Sequence, residues 1–214
     1  MTKGRFITFE GGEGSGKSTQ MRLLAETLRA RGLPVVTTRE PGGATGAEQI
    51  RRLLVEGEPG RWDSMTEALL HFAARRDHVA RTVWPAMAEG QWVLCDRFAD
   101  STLAYQGYGH GLPVHAIEQL YDMTLGNFAP DLTLILDLPV EEGLHRAAGR
   151  GGGEDRYERM GLAFHQRLRQ GFLEIARGQP RRCVLLSAAD PIDKVQAGVL
   201  SAVRERLLAT ADGL

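Results

Sequence analysis

Gly11-Gly12-Glu13-Gly14-Ser15-Gly16-Lys17-Ser18 fits the pattern G-x-x-x-x-G-K-[ST] at each fixed position. The residues ahead of it, Arg5-Phe6-Ile7-Thr8-Phe9, form a short β-branched and aromatic run that reads as a strand. Behind it, Thr19 to Ala30 carry Met21, Leu24 and Leu28 at helical spacing. Strand, glycine loop and helix in that order are the context that separates a phosphate loop from a chance glycine turn. Glycines let backbone N–H groups turn inward around phosphate oxygens, and the helix N-terminus adds partial positive charge. The stretch Gly11, Gly12, Glu13, Gly14, Ser15, Gly16, Lys17, Ser18 and Thr19 is therefore expected to hold a nucleoside triphosphate. Lys17 would reach its β- and γ-phosphates, and the Ser18 hydroxyl would be a ligand to Mg²⁺.

Around this loop the chain alternates apolar runs with helical stretches. Leu33–Thr38, Trp92–Cys95, Leu132–Leu136 and Cys183–Leu186 read as further strands. Continuous rather than alternating apolar runs are those of strands covered on both faces. Helices are expected near Glu48–Val55, Met65–Glu89, Val114–Leu125 and Met160–Ala176, and a last one behind an Asp190-Pro191 start. The reading is an α/β fold of the P-loop NTPase type, a doubly wound five-stranded parallel sheet flanked by helices. At 214 residues it is expected to be one domain. Two segments break the pattern. Gln106–Gly111 is expected to be a mobile glycine-rich loop. A second glycine run, with Arg146, Arg150 and Arg156 spaced through it, is expected to be a lid over about 146–158.

Composition narrows the partners. A formal net charge of −1 gives no general pull toward nucleic acid or membrane. No apolar run is long enough to span a bilayer, and no apolar segment follows the charged N-terminus as in a signal peptide. Cys95 and Cys183 are far apart and read as reduced thiols of a cytoplasmic protein. The single asparagine, Asn127, is followed by Phe128, which excludes the N-K-x-D guanine motif of a GTPase. A small nucleotide kinase instead needs a second anionic pocket lined by arginine at strand ends. Arg39 follows the second strand and Arg97 the third, on the same rim as Lys17. Asp96 ends an apolar strand as a Walker B carboxylate would, beside the Mg²⁺ shell.

With these residues in place the chain resembles the bacterial thymidylate kinase family. The resemblance rests on Phe9-Glu10-Gly11, Thr38-Arg39-Glu40-Pro41-Gly42-Gly43, Asp96-Arg97-Phe98, Ser101–Gly107 and Pro130-Asp131-Leu132-Thr133, and runs from residue 6 to about 190. It implies transfer of a phosphoryl group from ATP to dTMP, with Mg²⁺, in a homodimer. Lys17, Arg97 and Asp96 would be catalytic. Arg39 and Arg97 would grip the dTMP phosphate, Phe72 would stack on thymine and Arg75 would meet its O4, with Arg76 as the alternative. Ser101 and Gln106 would give polar contacts to the base, Tyr105 would crowd the sugar at C2′, and Glu13 would face the 3′-hydroxyl. Gly14 stands where some relatives have an arginine, which implies a catalytic arginine from the lid, Arg150 or Arg156. The competing readings are another nucleotide or deoxynucleoside kinase and an ATP-sensing protein without turnover.

Overall fold

The computed structural model describes residues 4–148 and 156–208. Its five strands are β1 (Arg5–Glu10), β2 (Val35–Arg39), β3 (Trp92–Asp96), β4 (Leu132–Asp137) and β5 (Cys183–Ser187). They pair in parallel in the order β2-β3-β1-β4-β5. In register, Phe9 lies beside Asp96 and Asp96 beside Arg39, so the residues that follow these strand ends share one rim. The doubly wound parallel sheet read from the apolar runs is the one observed.

Alternate residues of β1 feed different layers. Ile7 and Phe9 pack with Leu24 and Leu28 of α1 (Lys17–Ala30) and with Val199 and Val203 of the C-terminal helix. Phe6 faces the other way, into Val79, Val83, Val93 and Phe98, with its ring edge-on to Phe98 at 4.9 Å. Both faces of the strand are dry, and even its polar members Thr8 and Glu10 are fully buried.

The remaining helices are α2 (Thr45–Val55), α3 (Ser64–His78), α4 (Trp84–Ala88), α5 (Ala99–Thr102), α6 (Val114–Leu125), α7 (Val140–Ala148), α8 (Leu162–Gly178) and α9 (Ile192–Val203). The Asp63 carboxylate caps α3, accepting from the Met65 and Thr66 N–H groups at 3.0 Å. Instead of one helix over 65–89, the chain widens into a π-helical turn at Val79–Val83 before α4. Pro85 lies at the start of α4 and has no N–H to continue an α-helical ladder. α9 begins without a side-chain cap, because its N-cap residue is Pro191; the preceding Asp190 carboxylate pairs with Lys194 at 2.9 Å.

The glycine-rich segment after α5 corrects the sequence reading. Leu103–Gly109 is π-helical, and Tyr105, Gln106, Gly107 and Gly109 are buried. A Cβ on Gly109 would stand 2.5 Å from the Phe164 ring of α8. Glycine here serves close helix packing rather than mobility.

Candidate active site

The phosphate loop joins β1 to α1 as the spacing requires. Gly16 caps α1 at φ 84°, a left-handed conformation open to glycine. The Lys17 ammonium donates to the Gly12 carbonyl at 2.8 Å and the Gly11 carbonyl at 3.2 Å. Burial and the nearby Arg97 lower its pKa to about 8. The Ser18 hydroxyl donates to Asp96 Oδ2 at 2.6 Å, which brings together the two oxygens expected beside Mg²⁺. Among the described residues no group of three or more His, Cys, Asp or Glu could hold a metal ion.

Two cavities meet at this point. One, of about 380 Å³, is lined by Gly16, Lys17, Ser18 and Thr19. The other, of about 240 Å³, runs between α3, the ends of β2 and β3, and Tyr157. Glu13, Ser18, Asp96 and Arg97 line both. Arg97 is the one non-glycine residue with positive φ, 70°, among the described residues. That costly turn directly after β3 swings the guanidinium back over the phosphate loop. There it donates to the Gly11 carbonyl at 3.0 Å, to Glu13 Oε1 at 2.9 Å and to Ser101 Oγ at 3.3 Å. Burial alone would raise Glu13, but Arg97, Lys17 and the Tyr105 hydroxyl at 2.5 Å hold it down to about 2. Glu13 therefore stays ionised, and its charge is matched by two cations rather than opposed to an anion.

Arg39 reaches the second cavity from an exposed position, paired with Glu48 at 3.1 Å. Arg75 lines its inner wall with Thr102, Tyr105 and Gln106. Arg76, the alternative, lies elsewhere, over the Trp84 ring at 4.7 Å. The Ser101 hydroxyl is committed to Glu10 at 2.5 Å and acts on the site by accepting from Arg97. Phe72 does not line the cavity. It is 1% exposed, packed among Ala68, Leu112 and Ile117, beneath the Arg75 guanidinium at 4.7 Å. His71 lines the cavity instead, its Nε2 3.1 Å from the Tyr157 hydroxyl. Burial and the charges of Arg75 and Arg156 lower its pKa to about 3, so this flat ring is uncharged at neutral pH. His71 was visible in the sequence through its i,i+4 spacing to Arg75, which sets both on one helix face.

Arg150 lies outside the described residues. Arg156 is described and is 0% exposed. Its guanidinium pairs with Glu67 and donates to the Leu54 carbonyl at 2.8 Å and the Glu58 carbonyl at 3.1 Å. A cation at the C-terminal end of α2 satisfies the Leu54 carbonyl and complements the negative end of the helix dipole, while the Glu58 carbonyl belongs to the segment that follows. The expectation of Arg156 as the mobile catalytic cation does not match this arrangement. Gly14 is explained as well: its φ is 68°, and a Cβ would stand 2.1 Å from the Gly143 carbonyl of α7. No arginine fits there without moving the helix.

A phosphate loop, a strand-end aspartate bonded to its serine, and a second arginine-lined cavity sharing a wall with the first define a P-loop kinase for a small phosphorylated acceptor. Comparison with known proteins narrows this. A thymidylate kinase family model matches residues 9–199. The thymidylate kinase of Caulobacter vibrioides is 57% identical over 207 residues, covering 97% of this chain and 99% of the relative. That of Ruegeria pomeroyi is 53% identical, covering 95% and 96%. The crystal structure of the Ehrlichia chaffeensis thymidylate kinase superposes with a TM-score of 0.74 at 37% identity, covering 94% of this chain and 99% of that one. The chain belongs to the thymidylate kinase family. As a member it phosphorylates dTMP to dTDP, with ATP and Mg²⁺ as the phosphate donor system.

Proposed function

We propose that dTMP lies in the cavity lined by Arg39, Arg75 and Arg97, with its phosphate at the wall shared with the ATP cavity. The shared lining by Glu13, Ser18, Asp96 and Arg97 is the observation that carries this assignment. A phosphate oxygen of dTMP is already ionised at neutral pH, so no strong base is needed. Catalysis is then alignment of acceptor and donor together with stabilisation of charge on the transferring group. Arg97 and Arg39 grip the acceptor phosphate, and Lys17 the donor phosphates. Ser18 and Asp96 would hold Mg²⁺, which neutralises charge on the β- and γ-phosphates.

The base is read at the inner end. Arg75 NH1 and Gln106 Oε1 are buried without partners, one a donor and one an acceptor. Thymine offers the complement, an acceptor at O4 and a donor at N3. His71 serves as the flat platform in place of Phe72. Tyr105, held by Glu13, crowds the sugar at C2′. Arg150 remains the candidate lid cation, in one kinase domain with a lid over about 146–158.

A homodimer is supported by Leu53, Met65 and Leu69, large apolar side chains left exposed on α2 and α3. No described helix is long and apolar enough to cross a membrane. Lys17→Ala tests the donor side: turnover should vanish while dTMP still binds. In the wild type, kcat/KM for ATP should fall above about pH 8 as Lys17 loses its proton. Substantial turnover by the purified variant contradicts the assignment.

A further inference from the structure

The guanidinium of Arg75 has a built support. Its Nε donates to Glu40 Oε2 at 2.8 Å and its NH2 to Thr102 Oγ1 at 2.9 Å, while NH1 is buried without a partner. Two bonds from a planar group fix its orientation, so the direction of NH1 depends on how firmly Glu40 is held. Glu40 is itself buried, and its second oxygen, Oε1, lies 2.9 Å from Nδ1 of the fully buried His78. A carboxylate only accepts, so Nδ1 carries the proton. His78 Nε2 lies 2.8 Å from Thr38 Oγ1, and a neutral ring accepts there from the hydroxyl.

The turn after the Glu40-Pro41 bond packs closely over the Thr38–His78 pair. A Cβ on Gly43 would stand 2.3 Å from Thr38 Oγ1 and 2.5 Å from His78 Cδ2, so only a glycine backbone lies this close over the pair. The Thr82 hydroxyl pins that turn by donating to the Gly43 carbonyl at 2.7 Å. Thr38, His78, Glu40 and Arg75 thus join the end of β2 to α3 in one chain of hydrogen bonds, buried from His78 onward, that ends on an unpartnered donor of a residue lining the cavity.

We propose that His78 is a positioning residue for base selection: by holding Glu40 it fixes Arg75 NH1 as a donor aimed at position 4 of the pyrimidine. A base with an oxygen there, as in thymine, satisfies it. A base with an amino group there, as in cytosine, sets donor against donor and leaves a buried charge-bearing group unpaired. This rests on the reading that Arg75 meets the base, and the test separates the two.

The measurement is kcat/KM for dTMP against dCMP, with KM for ATP as control, in wild type, Arg75→Ala, His78→Leu, His78→Asn and His78→Gln. Arg75→Ala should abolish most of the discrimination. His78→Leu should lower the dTMP/dCMP ratio about tenfold or more, through KM for the acceptor, since it removes one bond to a buried charge. His78→Asn sets an N–H where Nδ1 stood and should retain most of the ratio. His78→Gln, which reaches toward Thr38 rather than Glu40, should not. KM for ATP should stay put throughout. Should His78→Leu not fold, the contrast between the asparagine and glutamine variants decides: equal ratios overturn the proposal. A wild-type ratio in His78→Leu beside a collapsed one in Arg75→Ala also overturns it. A wild-type ratio in Arg75→Ala instead removes the underlying reading of the base pocket.

Discussion

The contact between Gly14 and Gly143 allows a substitution whose effects on stability and on rate can be told apart. In Gly143→Ala the new Cβ would stand 2.5 Å from the backbone oxygen of Glu13. Carbon–oxygen contacts settle near 3.3 Å, so the phosphate loop or α7 must yield by about 0.8 Å. Overpacking of this kind costs about 1–3 kcal/mol. Alanine inside a helix recovers about 0.5–1 kcal/mol over glycine. The net loss of stability is then at most about 2.5 kcal/mol, a fall in Tm of under about 10 °C for a chain of this size. The rate is more exposed. Glu13 sits between the two cavities, and a displacement near 1 Å at a reacting centre costs up to about a hundredfold. Thermal melting read beside a coupled assay of ADP formation should give a folded variant with kcat lowered tenfold to a hundredfold. A variant with unchanged or raised Tm and wild-type kcat would refute the claim that this glycine pair sets the loop.

Further outcomes follow from the placement of Phe72, His71 and Arg156 and from the proposed role of Arg150. Phe72→Ala should act on folding, with a loss of about 3–5 kcal/mol in denaturant titration. His71→Ala should instead raise KM for dTMP by roughly tenfold with little change for ATP, as loss of a stacking platform does. Arg156→Met should unfold early, because breaking a buried ion pair costs about 3–5 kcal/mol, whereas Arg150→Ala should keep its Tm and lose about a hundredfold or more in kcat; equal kcat losses per folded molecule would return Arg156 to the chemistry.

The contiguous parts of the site were the legible ones. A phosphate loop is a run of backbone N–H groups, so its signature is local, and Lys17, Ser18 and Asp96 stand where the sequence set them. Strands buried on both faces announce themselves as apolar runs, and Phe6, Ile7 and Phe9 do so. What sequence order does not carry is which way a helix turns its neighbours. His71 and Phe72 differ by one position and by about 100° around α3, and packing against Leu112 and Ile117 decided which ring entered the core. Arg156 reads as a phosphate ligand because it follows a glycine run, yet the carbonyls of Leu54, at the end of α2, and of Glu58, beyond it, claim it from far away in sequence. The His78–Glu40–Arg75 relay was hidden for the same reason: its members converge only when β2 and α3 meet. Gly107 and Gly109 read as part of a loop because close packing, of Gly109 against Phe164 and of Gly107 against Ile117 and Leu103, leaves no mark in local composition.

The central claim, that this cleft transfers phosphate from ATP to a thymine nucleotide, is most directly tested by ADP formation with dTMP, dUMP, dCMP, dGMP, CMP and UMP at equal concentration. The account predicts the highest kcat/KM for dTMP. It predicts dUMP below it by several-fold to some tens-fold, since one buried methyl is worth about 0.8 kcal/mol. The cytosine, guanine and ribose nucleotides should fall far behind. ADP formation indifferent to dTMP, or faster with any other nucleotide in the panel, would contradict it.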